Sequence, residues 1–406
     1  MEDVKNWIEI SESRLTANFK TLVSSAGPEV EVLAVIKADA YGHSAALCAP
    51  VLAGAGAQWL GVTDPREGVQ VQMELAHADI LPEQVPRILI MSGSLPDEAR
   101  VIVLHGLIPI VWSIEMLELL TQAAAEQQKQ LAVHVEVDTG MSRQGCAVGP
   151  ELDALLKWFA AQRTLTLEGV MTHFASAEIA GSYQSAAQQR AFEQAIAQVR
   201  AAGLKPQWVH AANSSTIDNL HVSDDARTSL AWLKQLAASI GARAMARTGL
   251  ALYGFCLPVE REYGYSGAAE SSVRSKLLPV MTWKARVIGV REIAAGAHVG
   301  YGGTFTATHS MRLALLPVGY ADGLRRELSS SSESAGWVMF GDCRAPIVGR
   351  VSMNLTVVDV TEIPGVAVGD EAIVLGEGAT AEDHAQLAET IPYEILCGMK
   401  AHPLLV

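Results

Sequence analysis

Lys37 follows five apolar residues, 32–36, and precedes Ala-Asp-Ala-Tyr-Gly-His. A lysine there is either a snorkelling strand end or an amine in a partly desolvated pocket. In the second case its pKa falls, and the neutral amine can form a Schiff base with an aldehyde. Four later run ends carry comparable groups. Glu136-Val-Asp138-Thr-Gly-Met-Ser-Arg143 puts an arginine near two acids: either a surface ion pair, which contributes little, or a fork aimed at a substrate carboxylate. His173, in Thr-His-Phe, reads as a core histidine or as a ring stacked on a planar ligand. Asn213-Ser214-Ser215 leads into a helix and reads as a cap or as a phosphate cradle. Arg247 lies inside an apolar run, where its charge needs a partner. Singly, each bland reading wins. Five such groups at successive run ends favour one assembled site.

The elements that must position these groups follow from periodicity. Eight short apolar runs, 32–36, 58–62, 87–91, 108–112, 131–137, 166–171, 207–211 and 245–252, alternate with amphipathic stretches such as 116–127 and 184–202. Strand–helix repetition predicts a parallel sheet with crossover helices, and eight units predict a closed (β/α)8 TIM barrel over 11–268. An open doubly wound sheet is the structural rival. The barrel places catalytic groups where strands end, which is where these residues fall. From about residue 270 strand-like runs (281–290, 311–318, 336–340, 345–351, 355–360, 372–375) are divided by Gly, Pro and Asp turns. Residues 269–406, joined by 1–10, therefore read as a mainly β domain, with a helical pattern at 382–389. Two tyrosines stand in its turns: Tyr301 among glycines, where backbone can approach a ligand, and Tyr320 before Ala-Asp-Gly. A helical pattern within 219–242 reads as an insertion into the barrel.

Half of the 406 residues are hydrophobic, enough for a sizeable core. The net charge of −14, without a basic cluster, argues against nucleic-acid partners. No run is apolar enough to span a membrane, and the first ten residues show no signal peptide. Five scattered cysteines without a C-x-x-C fit a reduced, cytoplasmic protein; histidine spacing offers no metal site.

The segment Ala34-Val-Ile-Lys37-Ala-Asp-Ala-Tyr41-Gly-His43 resembles the cofactor-lysine motif of the alanine racemase family, the fold type III enzymes of pyridoxal 5′-phosphate (PLP). The likeness continues in order through Asp138-Thr-Gly-Met, Thr172-His-Phe, Ala212-Asn-Ser, Gly249-Leu-Ala-Leu-Tyr-Gly, Tyr301-Gly, Gly319-Tyr-Ala-Asp-Gly and Gly349-Arg-Val-Ser-Met. It implies racemisation of alanine with Lys37 carrying PLP, and Lys37 and Tyr301 as the two bases on opposite faces. It assigns the cofactor phosphate to Tyr41, Ser214, Gly249 and Leu250, places His173 and Asn213 beside the cofactor, and sets Arg247 opposite the ring nitrogen. Arg143 and the backbone of Met353 would bind the substrate carboxylate, with Tyr320 at the entrance. Tyr301 would come from a second subunit, so a homodimer with shared sites is implied.

The sequence departs from that pattern at three places. Glu136 stands where many members carry a lysine, often carbamylated; its own carboxylate is expected to orient Arg143 without carbon dioxide. Asn354 replaces an aspartate beside the carboxylate site, which suggests a pocket open to serine or other amino acids. Ala401 replaces a C-terminal phosphate-binding tyrosine. Two further readings compete: a non-catalytic PLP-binding barrel, which would lack the β domain and Tyr301, and a decarboxylase, which would need a cysteine without a convincing equivalent here.

Overall fold

The structure, a computed structural model, describes residues 4–78, 80–219, 230–264, 266, 271–330 and 335–406. The chain divides into two compact units: Leu15–Ala38 with Cys48–Leu278, and Met1–Arg14 with Asp39–Leu47 and Pro279–Val406.

In the first unit all eight apolar runs become parallel strands: Val30–Val35, Trp59–Val62, Arg87–Ile90, Ile108–Val111, Leu131–Asp138, Leu165–Met171, Trp208–Ala212 and Arg243–Thr248. Each pairs with its sequence neighbour, and the last returns to the first through Arg247↔Leu33 and Thr248↔Ala34. The sheet therefore closes into a barrel, and the open doubly wound alternative is excluded. Closure explains why the strands read as continuous apolar runs: Trp59–Val62 and Trp208–Ala212 are buried at every position, one face against barrel interior and the other against helices. The helices cover it with one stripe each. Pro65–His77 buries Val71 and Leu75, is capped by the Asp64 carboxylate and starts with proline; Ile114–Glu126 buries Leu117 and Leu120 behind the Ser113 cap. Of the insertion, the helix Leu230–Ala238 is seen, with Trp232 packed toward Phe174 and Phe192; residues 220–229 lie outside the described part.

The second unit is mainly β. A six-stranded sheet runs in the order Cys343–Pro346, Trp337–Phe340, Glu371–Leu375, Met281–Arg286, Asn6–Ile10, His402–Leu405. The N-terminal strand is thus part of this sheet, antiparallel to Met281–Arg286. A three-stranded sheet joins Gly289–Ile293, Met311–Leu316 and Thr356–Asp359. The run 281–290 is accordingly two strands, broken at Val287 and Ile288. A helix at Ala381–Leu387 fulfils the 382–389 pattern, and a further short helix, Pro392–Cys397, follows it.

Candidate active site

The C-terminal ends of the barrel strands carry the groups singled out above. After Val30–Val35 the chain turns at Lys37 through Lys37–Gly42, a single helical turn of the wrong hand: Ala38, Asp39, Ala40 and Tyr41 have φ of 53, 52, 54 and 56°. A left-handed turn costs roughly 1–2 kcal/mol per non-glycine residue, and local contacts hold it. Glu67 accepts from the Ala38 amide at 2.8 Å, and Asp39 accepts from the Ala45 amide at 2.7 Å. At Gly42 (φ 79°) a Cβ would lie 2.2 Å from the Leu396 carbonyl oxygen, so only glycine ends the turn there. Tyr41 is buried with its ring 5.9 Å from that of Tyr393, and burial pushes its phenol pKa up, with Tyr393 and Cys397 adding to the rise.

Arg247 is the centre of the site's polar core. It is 2 % exposed, one residue before the end of the eighth strand. Its Nη1 donates to His210 Nδ1 at 3.0 Å, and its Nη2 donates to the Thr172 carbonyl at 2.8 Å and toward His173 Nδ1 at 3.2 Å. Among the described residues its buried Nε–H meets no acceptor. Burial lowers the Arg247 pKa to about 10, and Glu136 works against that shift. His173 is held at about 3, by burial first and then by Arg247, Arg143 and Lys37. The imidazole is therefore neutral, and the cationic groups of three strand ends converge on it. Gln188 fixes the histidine's backbone, donating to its carbonyl at 2.8 Å.

The Asn213-Ser214 segment begins a short helix. Asn213 caps it, accepting from the Thr216 amide at 3.0 Å. Ser214 Oγ faces the next strand end, accepting from the Gly249 amide at 3.1 Å and the Ala251 amide at 3.5 Å. A hydroxyl and the amides of Gly249 and Ala251 thus meet at one point, the kind of donor set an anionic oxygen cluster requires.

At the fifth strand, Asp138 does not pair with Arg143. Its Oδ1 accepts the amides of Gly140, Met141 and Ser142 at 2.9, 3.0 and 3.0 Å and so shapes the loop that leads to Arg143, which is exposed. Glu136 is 2 % exposed. Its hydrogen bond comes from Gln144 Nε2, which also donates to the Met91 carbonyl at 3.1 Å; Glu136 acts on Arg143 and Arg247 through charge alone. Sequence reasoning missed Gln144, since a glutamine in a loop carries no chemical signal of its own.

Tyr301, Tyr320 and Met353 belong to the other unit, where backbone bonds tie the loops of Tyr320 and Met353 together. Tyr301 sits in the connection between His298–Val299 and Phe305–Thr306, 69 % exposed, with Gly300 and Gly302 in positive φ on either side. The Tyr320 amide donates to the Ser352 carbonyl at 3.1 Å and the Ala321 amide to the Met353 carbonyl at 2.9 Å. Asn354 Nδ2 donates to Asp322 Oδ2 at 3.4 Å. Ala401 stands just before the final strand, His402–Leu405.

The residues fit PLP on two observations. The unclaimed Nε–H of Arg247 is a buried donor that a ring nitrogen would satisfy, and the Ser214–Gly249 corner supplies donors for a phosphate.

Comparisons with known proteins agree with that geometry. Residues 10–256 match the family model described as alanine racemase, N-terminal domain, and residues 280–403 match alanine racemase, C-terminal domain. The chain is similar to the alanine racemase of Halothermothrix orenii, 35 % identical over 398 residues, 97 % of this chain and 94 % of that one. Among solved structures it resembles alanine racemase from Streptomyces coelicolor A3(2), with TM-score 0.84 and 31 % identity over 99 % of this chain and 98 % of that one. It also resembles the Bartonella henselae enzyme with covalently bound pyridoxal phosphate, with TM-score 0.79 and 27 % identity over 99 % and 100 % of the two chains.

Proposed function

The chain belongs to the alanine racemase family and interconverts L- and D-alanine as a PLP-dependent enzyme, and from that premise we propose which of its residues carry the reaction. The observation that carries the assignment is the buried, unclaimed Nε–H of Arg247. When bound, the cofactor withdraws electrons from the substrate and acidifies its Cα–H.

Lys37 is the lysine bonded to the cofactor and the base on one face of the substrate; Tyr301 of the partner subunit is the base on the other. Removal of a proton from one face and return on the other inverts Cα, with the lysine serving D-alanine and the tyrosine L-alanine. Arg143 and the Met353 backbone hold the carboxylate that defines those faces, and Tyr320 lines the approach. Tyr41, Ser214, Gly249 and Leu250 hold the phosphate, with His173 and Asn213 beside the cofactor. Arg247 can only donate: even lowered to about 10, its pKa lies far above that of a pyridine. Arg247 would therefore hold a ring nitrogen unprotonated, which would limit charge spreading into the ring and disfavour transamination.

A two-fold homodimer with two shared sites is part of the reading; the exposed Tyr301 supports it. So is a cytoplasmic role in D-alanine supply for peptidoglycan, which five scattered cysteines without a C-x-x-C support. A broader amino-acid range is the second reading, favoured by Asn354, whose amide rather than a carboxylate lies against Asp322. Lys37→Ala tests the assignment: the protein should fold and bind PLP without a covalent link, and should lose racemisation. Retained racemisation would remove Lys37 from the mechanism.

A further inference from the structure

Beneath Arg247 a line of polar side chains crosses the barrel interior to its far end. His210 and His134 are both 0 % exposed, and Glu168 is 6 % exposed. His210 Nε2 lies 2.9 Å from His134 Nδ1, and His134 Nε2 lies 3.5 Å from Glu168 Oε2. Glu168 takes a two-pronged bond from Arg87, at 2.7 and 2.9 Å, from the start of the third strand. Room for the arrangement is built in: a Cβ at Gly169 would lie 2.5 Å from His134 Nδ1.

The donors fix the direction of the whole line. Arg247 can only donate, so His210 Nδ1 must accept and its Nε2 must carry the proton. His210 then donates to His134 Nδ1, which leaves the His134 proton on Nε2; that nitrogen lies 3.5 Å from Glu168 Oε2, outside hydrogen-bond geometry, so Glu168 acts on it through charge. The carboxylate can only accept, and so terminates the line from below as Arg247 begins it from above. Both imidazoles are neutral, since burial lowers each pKa. With the opposite tautomers, two N–H groups would confront each other at Arg247.

We propose that Glu168 is a positioning residue for the racemase reaction: through His134 and His210 it locks the tautomers that anchor Arg247 Nη1 and leave Arg247 Nε–H for the cofactor. The carboxylate matters for its charge and for having no proton to offer; a side-chain amide can turn its NH2 toward His134 and admit the reverse order. The proposal rests on the assignment of Arg247 to the ring nitrogen.

The test is Glu168→Gln, with Glu31→Gln as control. Glu31 pairs with Arg243 at 3.5 Å, and Arg243 stacks on Trp208 much as Arg87 stacks on Trp59, but that pair is not connected to Arg247. In cofactor-free protein, nitrogen NMR of labelled histidine should show a second tautomer of His210 in E168Q and a single one in E31Q. In holoenzyme, E168Q should weaken PLP binding by roughly tenfold, the size of a lost supporting contact at other polar centres, and shift the cofactor's absorption maximum, with E31Q unchanged. His134→Gln, which cuts the line between Glu168 and His210, gives the same readings if E168Q fails to fold. A single unchanged His210 tautomer in E168Q, or in H134Q in its place, would overturn the proposal. A changed tautomer with unchanged cofactor spectrum and affinity would instead overturn the assignment of Arg247 to the ring nitrogen.

Discussion

Ser214 Oγ accepts the backbone amide of Gly249 at 3.1 Å, across the ends of the seventh and eighth barrel strands. This bond sets the spacing of the corner to which we assign the cofactor phosphate. Ser214→Ala should leave the fold intact and weaken PLP binding by about tenfold, or ~1.4 kcal/mol, since one hydrogen bond to a charged group is lost. Spectroscopic titration of the apoenzyme measures it. Affinity equal to wild type would move the phosphate elsewhere.

Glu136 should be useful to the reaction and costly to the fold. Burial raises its carboxyl above the ordinary 4.5, with the Gln144 bond, Arg247 and Arg143 offsetting part of the rise. A carboxyl with a raised folded pKa holds its proton in the native state after the unfolded chain has released it. Stability therefore falls as pH climbs from about 4.5 through the folded value, and the cost persists above it. Glu136→Gln should then be the more thermostable protein at neutral pH, with the Tm difference vanishing near pH 4. Its KM for alanine should rise about tenfold through loss of the charge on Arg143, and wild-type activity should not respond to carbon dioxide. A Tm difference independent of pH would contradict the buried-charge account.

Acid should unfold the enzyme from its histidines. His384 is 2 % exposed, and burial lowers its pKa from 6.5 to about 4; His43, also buried, is likewise lowered to about 4. A histidine with a lowered folded pKa stays neutral in the native state while the unfolded chain takes up a proton. The stability it contributes is complete above pH 6.5 and is lost as pH falls toward 4. Each shift is worth on the order of 3 kcal/mol at the acid end. His384→Leu, a non-titrating side chain, should flatten the decline in Tm between those values without altering kcat at neutral pH. An unchanged acid limb would show that His384 already carries a proton when folded.

Much of the fold was legible because closure of a barrel leaves plain marks in sequence. Strands buried on both faces read as apolar runs, and all eight did so. What escaped was set by conformation or by pairing. Ala38 to Tyr41 carry no glycine, so nothing in their residue types announces a left-handed turn; the bonds of the Asp39 and Glu67 carboxylates and the close fit at Gly42 impose it. The C-terminal strand His402–Leu405 was obscured by Pro403, which a central strand would reject. It lies at the edge of the six-stranded sheet, where a missing N–H costs little. In the candidate site, Lys37, His173, Ser214 and Arg247 stood out by type and position, and Gly249 through the family resemblance alone. Gln144 and the His134–His210 pair did not, because their meaning lies in partners distant in sequence: His134 and His210 are 76 residues apart.

The proposed sharing of sites between two subunits has a consequence in mixtures. Lys37→Ala and Tyr301→Phe should each be inactive alone. Refolded together in equal amounts, half of the dimers are mixed, and each mixed dimer holds one site with both bases intact. About a quarter of wild-type activity should return. No recovery, with mixed dimers demonstrated by mass, would place both bases in one chain.

The two-base assignment is tested most directly by following Cα in heavy water. L-alanine is supplied to the PLP-loaded enzyme, and both enantiomers are examined at the first turnovers; serine in the same assay reports on Asn354. With Tyr301 and Lys37 on opposite faces, the D-alanine formed should carry solvent deuterium while the remaining L-alanine keeps its proton. D-Alanine that retains the substrate's own proton would mean that one base carried it across, and would contradict the account.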